Sequence, residues 1–332
     1  MRVFVAGATG VVGRQLVPQL VEAGHEVVGS TRSSAKAIRL QEMGATAAVL
    51  DPLDRSEVMT AVMRAEPDAV IHELTALSGR ANPRRFDRWF AETNVLRTRG
   101  LDILLEAARA AGASRFLAQS YTGWPNAREG GPVKTEEDRL DPHPPKAMRG
   151  SIAAIRYLEA AVPAADGPAG LALRYGALYG PGTSMAEEYA TAIRQRKFPI
   201  VGDGAGVWSF IHVADAAAAT VAALDHGEPG VYNIVDDDPA PVSQWLPHLA
   251  EVLGARPPRR VPVWLGRLAV GEVGVAMMTQ SRGSSNAKAR RELGWEPAHP
   301  SWRSGFAEAA GAAPRPAQLS GRRGGGPRAG GR

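Results

Sequence analysis

The chain begins Met1-Arg-Val-Phe-Val-Ala-Gly7-Ala-Thr-Gly10-Val-Val-Gly13-Arg-Gln-Leu-Val, an apolar strand that runs into three glycines and then into a helical pattern. In this spacing Gly7 allows a tight turn, Gly10 lets the backbone approach a pyrophosphate, and Gly13 lets the helix pack against the strand. The free N–H groups and positive end of the helix then bind the pyrophosphate. The stretch predicts a dinucleotide-binding turn, with contacts from Gly7, Thr9, Gly10, Val11, Val12 and Gly13.

The end of the second predicted strand, Glu26-Val-Val-Gly-Ser-Thr31, indicates which nucleotide is bound. An NAD site usually has an acidic residue about 20 positions after the turn, where it holds the ribose hydroxyls. This chain has Arg32 instead, and no Asp or Glu stands between Val27 and Gln41. Because a guanidinium matches a phosphate, we predict NADP, with NAD the less favoured cofactor. The alternative is that Arg32 is an ordinary solvated loop residue.

The third predicted strand leads into Asp51-Pro-Leu53-Asp54. A carboxylate at this place could reach the adenine amino group, so Asp51 and Leu53 are predicted to contact the cofactor. Capping of the helix that starts at Arg55 explains the acidic residues equally well.

The composition is that of a cytoplasmic enzyme. The 332 residues are 44% apolar, enough for a core and a second lobe. No apolar run approaches the roughly 18 residues of a membrane span, and no leader precedes the first strand, so we expect neither a membrane partner nor secretion. The absence of cysteine excludes disulfides, thiol nucleophiles and cysteine metal sites.

The net charge of +5 is concentrated at the end of the chain. Residues 311–332 contain five arginines and no acid, whereas the rest of the chain is close to neutral. We therefore expect no nucleic-acid partner. Gly, Pro and Arg dominate this tail, which predicts disorder.

Strand and helix patterns alternate along the chain, which predicts an α/β fold: a Rossmann doubly wound parallel sheet with a smaller C-terminal substrate lobe. The dinucleotide-binding domain is expected over 1–175, with segments near 205–235 returning to it, and the substrate lobe over 176–310. One long helix is predicted over Arg84–Ala111. The predicted strands are Val3–Ala6, Glu26–Ser30, Thr46–Leu50, Ala69–His72, Arg115–Gln119, Gly170–Arg174 and Val231–Ile234.

Several later motifs extend this pattern. They are Leu104-Leu-Glu-Ala-Ala108, Arg115-Phe-Leu-Ala-Gln-Ser120, Leu173-Arg-Tyr-Gly-Ala-Leu-Tyr-Gly180-Pro-Gly182, Phe210-Ile-His-Val-Ala-Asp215, Tyr232-Asn233, Ala287-Lys288 and Leu293-Gly-Trp295. With the glycine turn, they resemble the extended short-chain dehydrogenase/reductases, which include nucleotide-sugar epimerases and dehydratases. The resemblance spans most of the chain. It implies an NAD(P)-binding oxidoreductase or epimerase-like enzyme that acts on a small carbonyl, hydroxyl or sugar-like metabolite.

The chain departs from this family at the catalytic residues. Active members carry a Tyr-x-x-x-Lys pair on the helix after the fifth strand, where the lysine lowers the tyrosine pKa. Aligned by Glu159, the two positions hold Ser151 and Ile155, and no Tyr-x-x-x-Lys occurs anywhere in the chain. The family's serine or threonine after the fifth strand is replaced by Tyr121, with Ser120 beside it.

Three interpretations of this departure compete. In the first, a redox enzyme uses Tyr121 as the proton relay, assisted by Ser120, Tyr157 or an arginine such as Arg149. In the second, a lyase, isomerase or cyclase keeps the nucleotide for structure or for an internal redox cycle. In the third, the chain is a catalytically silent NADP-binding regulatory protein.

Other polar and aromatic residues add candidates for the site. His72 ends the fourth strand and could face the nicotinamide, although a core histidine with one hydrogen bond explains it as well. Trp208 stands where epimerases commonly offer an arginine to the diphosphate, which favours an apolar or aromatic substrate. Tyr175 and Arg149 are further candidate substrate contacts. No metal site is predicted, since the acidic run at Glu136 lies in a flap rich in Gly and Pro.

The resemblance also implies a homodimer. Family members usually pair through the two long helices after the fourth and fifth strands, and residues 101–111 and 152–161 are rich in small and aliphatic side chains. Burial of the same faces within one chain is the alternative.

Overall fold

A computed structural model describes residues 1–77 and 82–309, which form a seven-stranded parallel sheet in the order β7-β6-β5-β4-β1-β2-β3. This is the predicted doubly wound Rossmann order, with the reversal between β1 and β4. All seven predicted strands are present, with ends that differ by at most two residues. Their bounds are β1 (Arg2–Ala6), β2 (Glu26–Thr31), β3 (Thr46–Val49), β4 (Ala69–His72), β5 (Arg115–Tyr121), β6 (Ala169–Tyr175) and β7 (Gly230–Ile234).

Helices cover both faces of the sheet. On one face Leu16, Leu20 and Leu40 pack with the alanine-rich helix Val213–Asp225, and on the other Val62 and Leu104 pack against the sheet. Each helix thus buries one apolar stripe, as expected for a three-layer α/β fold. The helices are α1 (Gly13–Glu22), α2 (Ser34–Glu42), α3 (Arg55–Ala65), α4 (Phe86–Trp89), α5 (Ala91–Val95), α6 (Leu101–Ala110), α7 (Arg149–Ala161), α8 (Ala190–Arg194), α9 (Val213–Asp225), α10 (Val242–Val252), α11 (Val263–Thr279), α12 (Ala287–Leu293) and α13 (Trp302–Ala309).

The segment predicted as one helix over Arg84–Ala111 is divided. A 3₁₀ turn at Pro83–Arg85 precedes α4 and α5, and a π-helical turn, Leu96–Gly100, joins α5 to α6. A π-helical turn rotates the side chains after it relative to an unbroken α-helix, and such turns are frequent at functional sites. Two further short helical turns are Lys146–Met148 (3₁₀) and Met185–Tyr189 (π).

A separate apolar cluster lies beyond the carboxyl ends of the strands. It includes Phe210, Trp245, Trp302 and Phe306. Helix α11 passes beside it and is broken at Gly271, whose φ of 71° only glycine adopts readily. Short strand pairs complete this region: Val133–Lys134 with Gly283–Ser284, Ala177–Tyr179 with Phe210–His212, Ile200–Val201 with Arg260–Val261, and Val207–Trp208 with Ala240–Pro241.

Two further predictions concern the C-terminal tail and membrane-spanning helices. The predicted disordered tail, 311–332, lies outside the described residues. Within 1–77 and 82–309, no helix has the length and apolar character needed to cross a bilayer.

Candidate active site

The glycine turn forms one wall of a cleft of about 540 Å³ at the carboxyl ends of β1 and β2, hereafter the glycine cleft. Gly7 has a φ of 90°, and a Cβ there would lie 2.6 Å from the Glu73 carbonyl oxygen. A Cβ on Gly13 would lie 2.5 Å from the carbonyl oxygen of Ala8. Both glycines therefore permit close backbone packing, while Gly10 lines the cleft. Side chains at these positions would close the space that a pyrophosphate needs.

Helix α1 begins at Gly13, at the floor of the glycine cleft. No side chain caps its N-terminus, and the N–H groups of Arg14 and Gln15 bond to the carbonyl oxygens of Gly10 and Val12. The N–H groups of residues 11–13 have no such bond among the described residues and are left for a ligand. The Val12 side chain is buried in the core, and the lining side chains do not include Val11. If these two valines contact the cofactor, they therefore do so through their backbone N–H groups. Thr9 lines the cleft directly.

The far end of the glycine cleft carries positive charge. Arg32 lies there with Lys36, one helical turn further on, and both side chains are exposed. Lys36 is not among the predicted cofactor contacts, although its position at the start of α2, four residues after Arg32, indicates a second cation at this end of the cleft. Asp51 and Leu53 line the same end. The capping role falls to Asp54, whose carboxylate accepts the N–H groups of Ser56 and Glu57 at 2.9 and 3.0 Å.

A second space lies at the end of β5 and is called the Tyr121 cavity. It is lined by Tyr121, Thr122, Gly123, Trp124, Ala177, Val207, Trp208, Ser209, Met277 and Ser281, and has a volume of only about 10 Å³. Trp208 and Met277 also line a neighbouring apolar cavity of about 140 Å³, whose other walls include Tyr189, Phe198 and Met278. The two spaces together are lined mainly by apolar and aromatic side chains, with the phenol of Tyr121 in the first and that of Tyr189 in the second.

Tyr121 lines the first of these cavities as a partly buried, stacked phenol. Its ring stacks on Trp124 with centroids 5.3 Å apart. Burial raises the pKa of the phenol above its usual range, and the nearby charge of Arg97 lowers that pKa in part. The phenol is therefore protonated at neutral pH.

The Ser120 hydroxyl is engaged inside the protein. It donates to Glu159 Oε1 at 2.7 Å, and Arg174 donates to both oxygens of the same carboxylate at 2.7 and 2.6 Å. Ser120 is buried and does not line the Tyr121 cavity. The geometry favours a structural role for this serine instead of the predicted catalytic one.

His72 is also held by internal contacts. Its Nε2 lies 3.1 Å from the Leu96 carbonyl oxygen, and its Nδ1 accepts the Leu74 N–H at 3.3 Å. Burial lowers the pKa of the imidazole, so the ring is neutral. Both nitrogens are engaged with the backbone, and the ring lines neither cavity, which favours the core-histidine alternative.

Of the three candidate substrate contacts, only Trp208 lines the Tyr121 cavity. Its indole N–H donates to the Met277 carbonyl oxygen at 2.9 Å, which fixes the ring. Tyr175 is fully buried, with its hydroxyl 2.7 Å from Glu73 Oε1 and 2.6 Å from Thr220 Oγ1. Arg149 is exposed at the start of α7 and lines neither cavity. Tyr175 is the neighbour of Tyr121 across the paired strands β5 and β6, but its hydroxyl is engaged with Glu73 and Thr220 and it does not line the cavity.

The vacated Tyr-x-x-x-Lys positions are filled by internal contacts. Ser151 is buried, and its hydroxyl donates to Asp87 at 2.7 Å and accepts from the Asn94 amide at 3.2 Å. Ile155 is fully buried and packs with Ile152 in a small apolar cluster beside Tyr121. Neither residue replaces the chemistry of the missing pair.

One group of possible metal ligands occurs in the described part of the chain: His212, Asp215 and His299. Asp215 accepts the backbone N–H groups of Ala298 and His299 at 3.1 and 2.9 Å. His212 Nδ1 accepts the Ala214 N–H at 3.3 Å and so caps α9. The bonds of Asp215 join the segment 298–299 to α9, so the described contacts give these residues a structural role.

Comparison with known proteins agrees with this geometry. Residues 3–235 match the model of the NAD dependent epimerase/dehydratase family. The chain is 45% identical over 310 residues to a 3-diazoavenalumate denitrifying reductase from a Streptomyces species, covering 92% of this chain and 99% of that relative.

Solved structures share the fold. Human epimerase family protein SDR39U1 with NADPH gives a TM-score of 0.73 at 20% identity, covering 94% of this chain and 99% of that chain. Thermus thermophilus UDP-glucose 4-epimerase with NAD gives 0.71 at 22% identity, covering 94% and 98% of the two chains. The protein is an NAD(P)-binding enzyme of the oxidoreductase and epimerase type, and the chain belongs to the NAD-dependent epimerase/dehydratase family.

Proposed function

We propose that this enzyme is an NADP-preferring reductase that acts on a small, largely apolar or aromatic metabolite, with Tyr121 as the proton donor. The observation that carries the proposal is the position of Tyr121: a protonated phenol that lines a cavity together with Trp208 and Met277. A reductase needs such a donor next to the reacting carbon. The residues of the usual Tyr-x-x-x-Lys pair are absent, so the proton has to come from another element.

The preference for NADP is supported by Arg32 and Lys36 at one end of the glycine cleft. Two cations there match the charge of a 2′-phosphate. The fold itself does not select the nucleotide, because the two solved relatives above contain NADPH and NAD respectively.

Reduction is favoured over the two alternatives by different observations. The Streptomyces relative is named a reductase and is aligned over nearly its whole length, which supports redox chemistry over a lyase or cyclase reaction. The same relative supports catalysis over a silent NADP-binding protein, since the glycine cleft would be needed in either case.

The proposed reaction divides between cofactor and protein. Bound NADPH would supply a hydride to the electrophilic carbon of a carbonyl substrate. Tyr121 would give its proton to the carbonyl oxygen, so that C=O becomes CH–OH and the phenolate is reprotonated from solvent. Trp124 and Trp208 would exclude bulk water and hold the substrate against the phenol.

The purified protein provides the first test. Mass spectrometry of the nucleotide that it retains, followed by NADPH consumption with a panel of aromatic ketones and aldehydes, is expected to show exchangeable NADP(H) and net reduction. A tightly retained NAD that is never consumed would favour an internal redox cycle and contradict the proposal.

We further propose a cytoplasmic homodimer with a nucleotide domain over 1–175 and a substrate lobe over 176–310. The cysteine-free composition supports the location. For the dimer, the apolar side chains Leu101 and Leu104 are already buried within the chain, so the available surface is a strip along α7 that includes Tyr157, which is 42% exposed. The separate apolar cluster around Trp245 supports the second lobe.

A further inference from the structure

Arg97 is a buried cation that has no ion-pair partner in the part of the chain that the structure describes. It lies in the π-helical turn Leu96–Gly100 and is 4% exposed. Its Nη1 is enclosed and has no hydrogen-bond partner among the described residues. Burial lowers the pKa of the guanidinium to about 10, so the group is still charged at neutral pH. Buried charges are normally paired, because removal from water is costly.

The neighbouring groups do not compensate this charge. Glu159 is the carboxylate whose charge reaches Arg97, but both of its oxygens accept from Arg174, and Oε1 also accepts from Ser120. Its single negative charge is balanced by Arg174. Tyr121 is the other group that faces Arg97, and it is a neutral phenol because burial raises its pKa. One positive charge therefore remains unbalanced in this part of the protein.

Arg97 lies close enough to Tyr121 for its charge to act on the phenol, although it is not one of the residues that line the Tyr121 cavity. Its guanidinium carbon lies 5.6 Å from the centre of the Phe90 ring. The Phe90 ring lies 5.7 Å from Trp124, which stacks on Tyr121 at 5.3 Å. The packed rings of Phe90 and Trp124 thus connect the guanidinium to the phenol.

Contacts between helices show where Arg97 lies along α7. The Asn94 amide bonds to Ser151, and further along the same two elements the Tyr157 hydroxyl bonds to Asp102. Arg97 lies between Asn94 and Asp102 along the chain, and Ile155 lies between Ser151 and Tyr157 on α7. The turn that carries Arg97 therefore runs along the part of α7 that contains Ile155, the vacated lysine position.

We propose that Arg97 binds a carboxylate of the substrate. This inference rests on the proposed reductase function and names its substrate class: small aromatic or alkyl carboxylic acids that carry the reducible group. A guanidinium offers two parallel N–H donors to a carboxylate, which pairs the buried charge and satisfies its free donor. The apolar cavity lined by Phe198, Trp208 and Met277 takes the hydrocarbon part of the substrate.

Melting temperatures without any ligand give the first test. Arg97→Met removes an unpaired buried charge and keeps most of the side-chain volume, so the melting temperature is expected to rise. The matched control is Arg174→Met, which removes a buried arginine that has a partner and leaves Glu159 unpaired. That control is expected to melt lower than the parent protein.

Binding of a matched pair of probes gives the second test. Titration calorimetry with 3-phenylpropionate and 3-phenylpropionamide is expected to show at least about tenfold tighter binding of the acid. Arg97→Met should bind both equally, whereas Arg97→Lys should keep part of the preference for the acid. NADPH affinity should stay within about twofold in both variants, because the glycine cleft is unchanged.

Two results would overturn the inference. The first is equal binding of acid and amide by the parent protein. The second is a loss of melting temperature in Arg97→Met as large as in Arg174→Met, which would make Arg97 a structural residue. The two proposals can fail separately, because binding is measured by titration and reduction by NADPH consumption. A protein that prefers the acid but never consumes NADPH would contradict the reductase proposal and leave the carboxylate site supported.

Discussion

The Tyr175 hydroxyl oxygen lies 2.7 Å from Glu73 Oε1 in the interior of the protein, where neither side chain reaches solvent. The same hydroxyl lies 2.6 Å from Thr220 Oγ1, and Thr220 donates to the Ala216 carbonyl oxygen at 2.8 Å. With a protonated Glu73, each hydroxyl hydrogen of this chain has an acceptor. The other carboxylate oxygen, Oε2, is buried and has no hydrogen-bond partner among the described residues, so an ionised Glu73 would leave it without a donor. The geometry favours the protonated acid.

This arrangement predicts that stability falls as pH rises. Burial raises the pKa of Glu73 from 4.5 to about 8. Between these two pH values the unfolded chain loses the proton while the folded chain keeps it. The stabilisation is therefore complete below about pH 4.5 and is lost progressively up to about pH 8, by an amount on the order of a few kcal/mol.

Glu73→Gln isolates this effect from the rest of the titration. The amide has the same shape, can donate to Tyr175 and cannot ionise. Thermal unfolding should show little difference from the parent protein near pH 5 and a higher melting temperature for the variant above about pH 8. The surface variant Glu106→Gln is the control and should lack this crossover. Parallel pH profiles for Glu73→Gln and the parent protein would contradict a protonated Glu73.

Two glycines allow the cost of a positive φ to be distinguished from the cost of steric crowding. Gly7 and Gly24 have φ values of 90° and 82°, but a Cβ on Gly7 would lie 2.6 Å from a backbone oxygen, whereas one on Gly24 would meet nothing within 4 Å. We expect Gly24→Ala to cost about 1 kcal/mol in unfolding free energy and Gly7→Ala several kcal/mol. Denaturant unfolding measures both. Equal losses would mean that the turn can relax around an added methyl group.

Nucleotide choice is tested at the basic end of the glycine cleft. We expect NADPH to bind at least about ten times tighter than NADH, because a phosphate and guanidinium contact contributes about 1.4 kcal/mol or more. Arg32→Ala should remove most of this difference, Lys36→Ala a smaller part, and neither should change NADH affinity. Fluorescence titration of both nucleotides measures this. Equal affinities in the parent protein would remove Arg32 and Lys36 from the phosphate site.

The dimer prediction concerns the strip that includes Tyr157. Light scattering at micromolar concentration is expected to give twice the mass of one chain, and Tyr157→Glu should shift it toward the monomer by placing a charge in the interface. Trp264→Ser is the control, since Trp264 on α11 is 66% exposed and apolar but lies on a different helix. A monomeric parent protein would contradict the prediction. A shift with Trp264→Ser alone would place the interface on α11.

The strands could be predicted because each is a short apolar run with its own turn signals. The glycine turn could be predicted because its spacing reflects a steric requirement, seen in the short distances at Gly7 and Gly13. The divided segment before α6 could not, because no Pro or Gly stands between Arg84 and the π-helical turn that ends at Gly100. The orientation of Arg97 depends on that turn.

The catalytic candidates show a second limit. Tyr121 was found from its position in the family pattern, but whether a neighbouring hydroxyl is free depends on residues distant in sequence. Ser120 is engaged by Glu159, 39 positions later. Tyr175 is engaged by Glu73, 102 positions earlier. No local sequence pattern indicates such pairings. The sequence therefore predicts only which polar residues lie near the site. The contacts in the structure show that Ser120 and Tyr175 are engaged, whereas Tyr121 lines the cavity.

The last prediction concerns Tyr121 itself. Tyr121→Phe keeps the stacked ring but removes the proton that we propose is transferred, so turnover should fall by roughly 100-fold or more while NADPH affinity is unchanged. Ser151→Ala is the matched control in the vacated tyrosine position. It loses hydrogen bonds to Asp87 and Asn94 and should cost about 1 kcal/mol of stability without a comparable loss of rate per folded molecule.

The pH dependence of turnover sharpens the test of Tyr121. Because burial raises the phenol pKa, the parent protein should keep its proton, and its rate, through neutral and mildly alkaline pH. Measuring melting temperature beside turnover distinguishes a lost proton donor from a weakened fold. A fully active Tyr121→Phe protein would show that the proton comes from elsewhere. Since Ser120 and His72 are engaged with internal partners, a water molecule in the Tyr121 cavity would then be the donor to test.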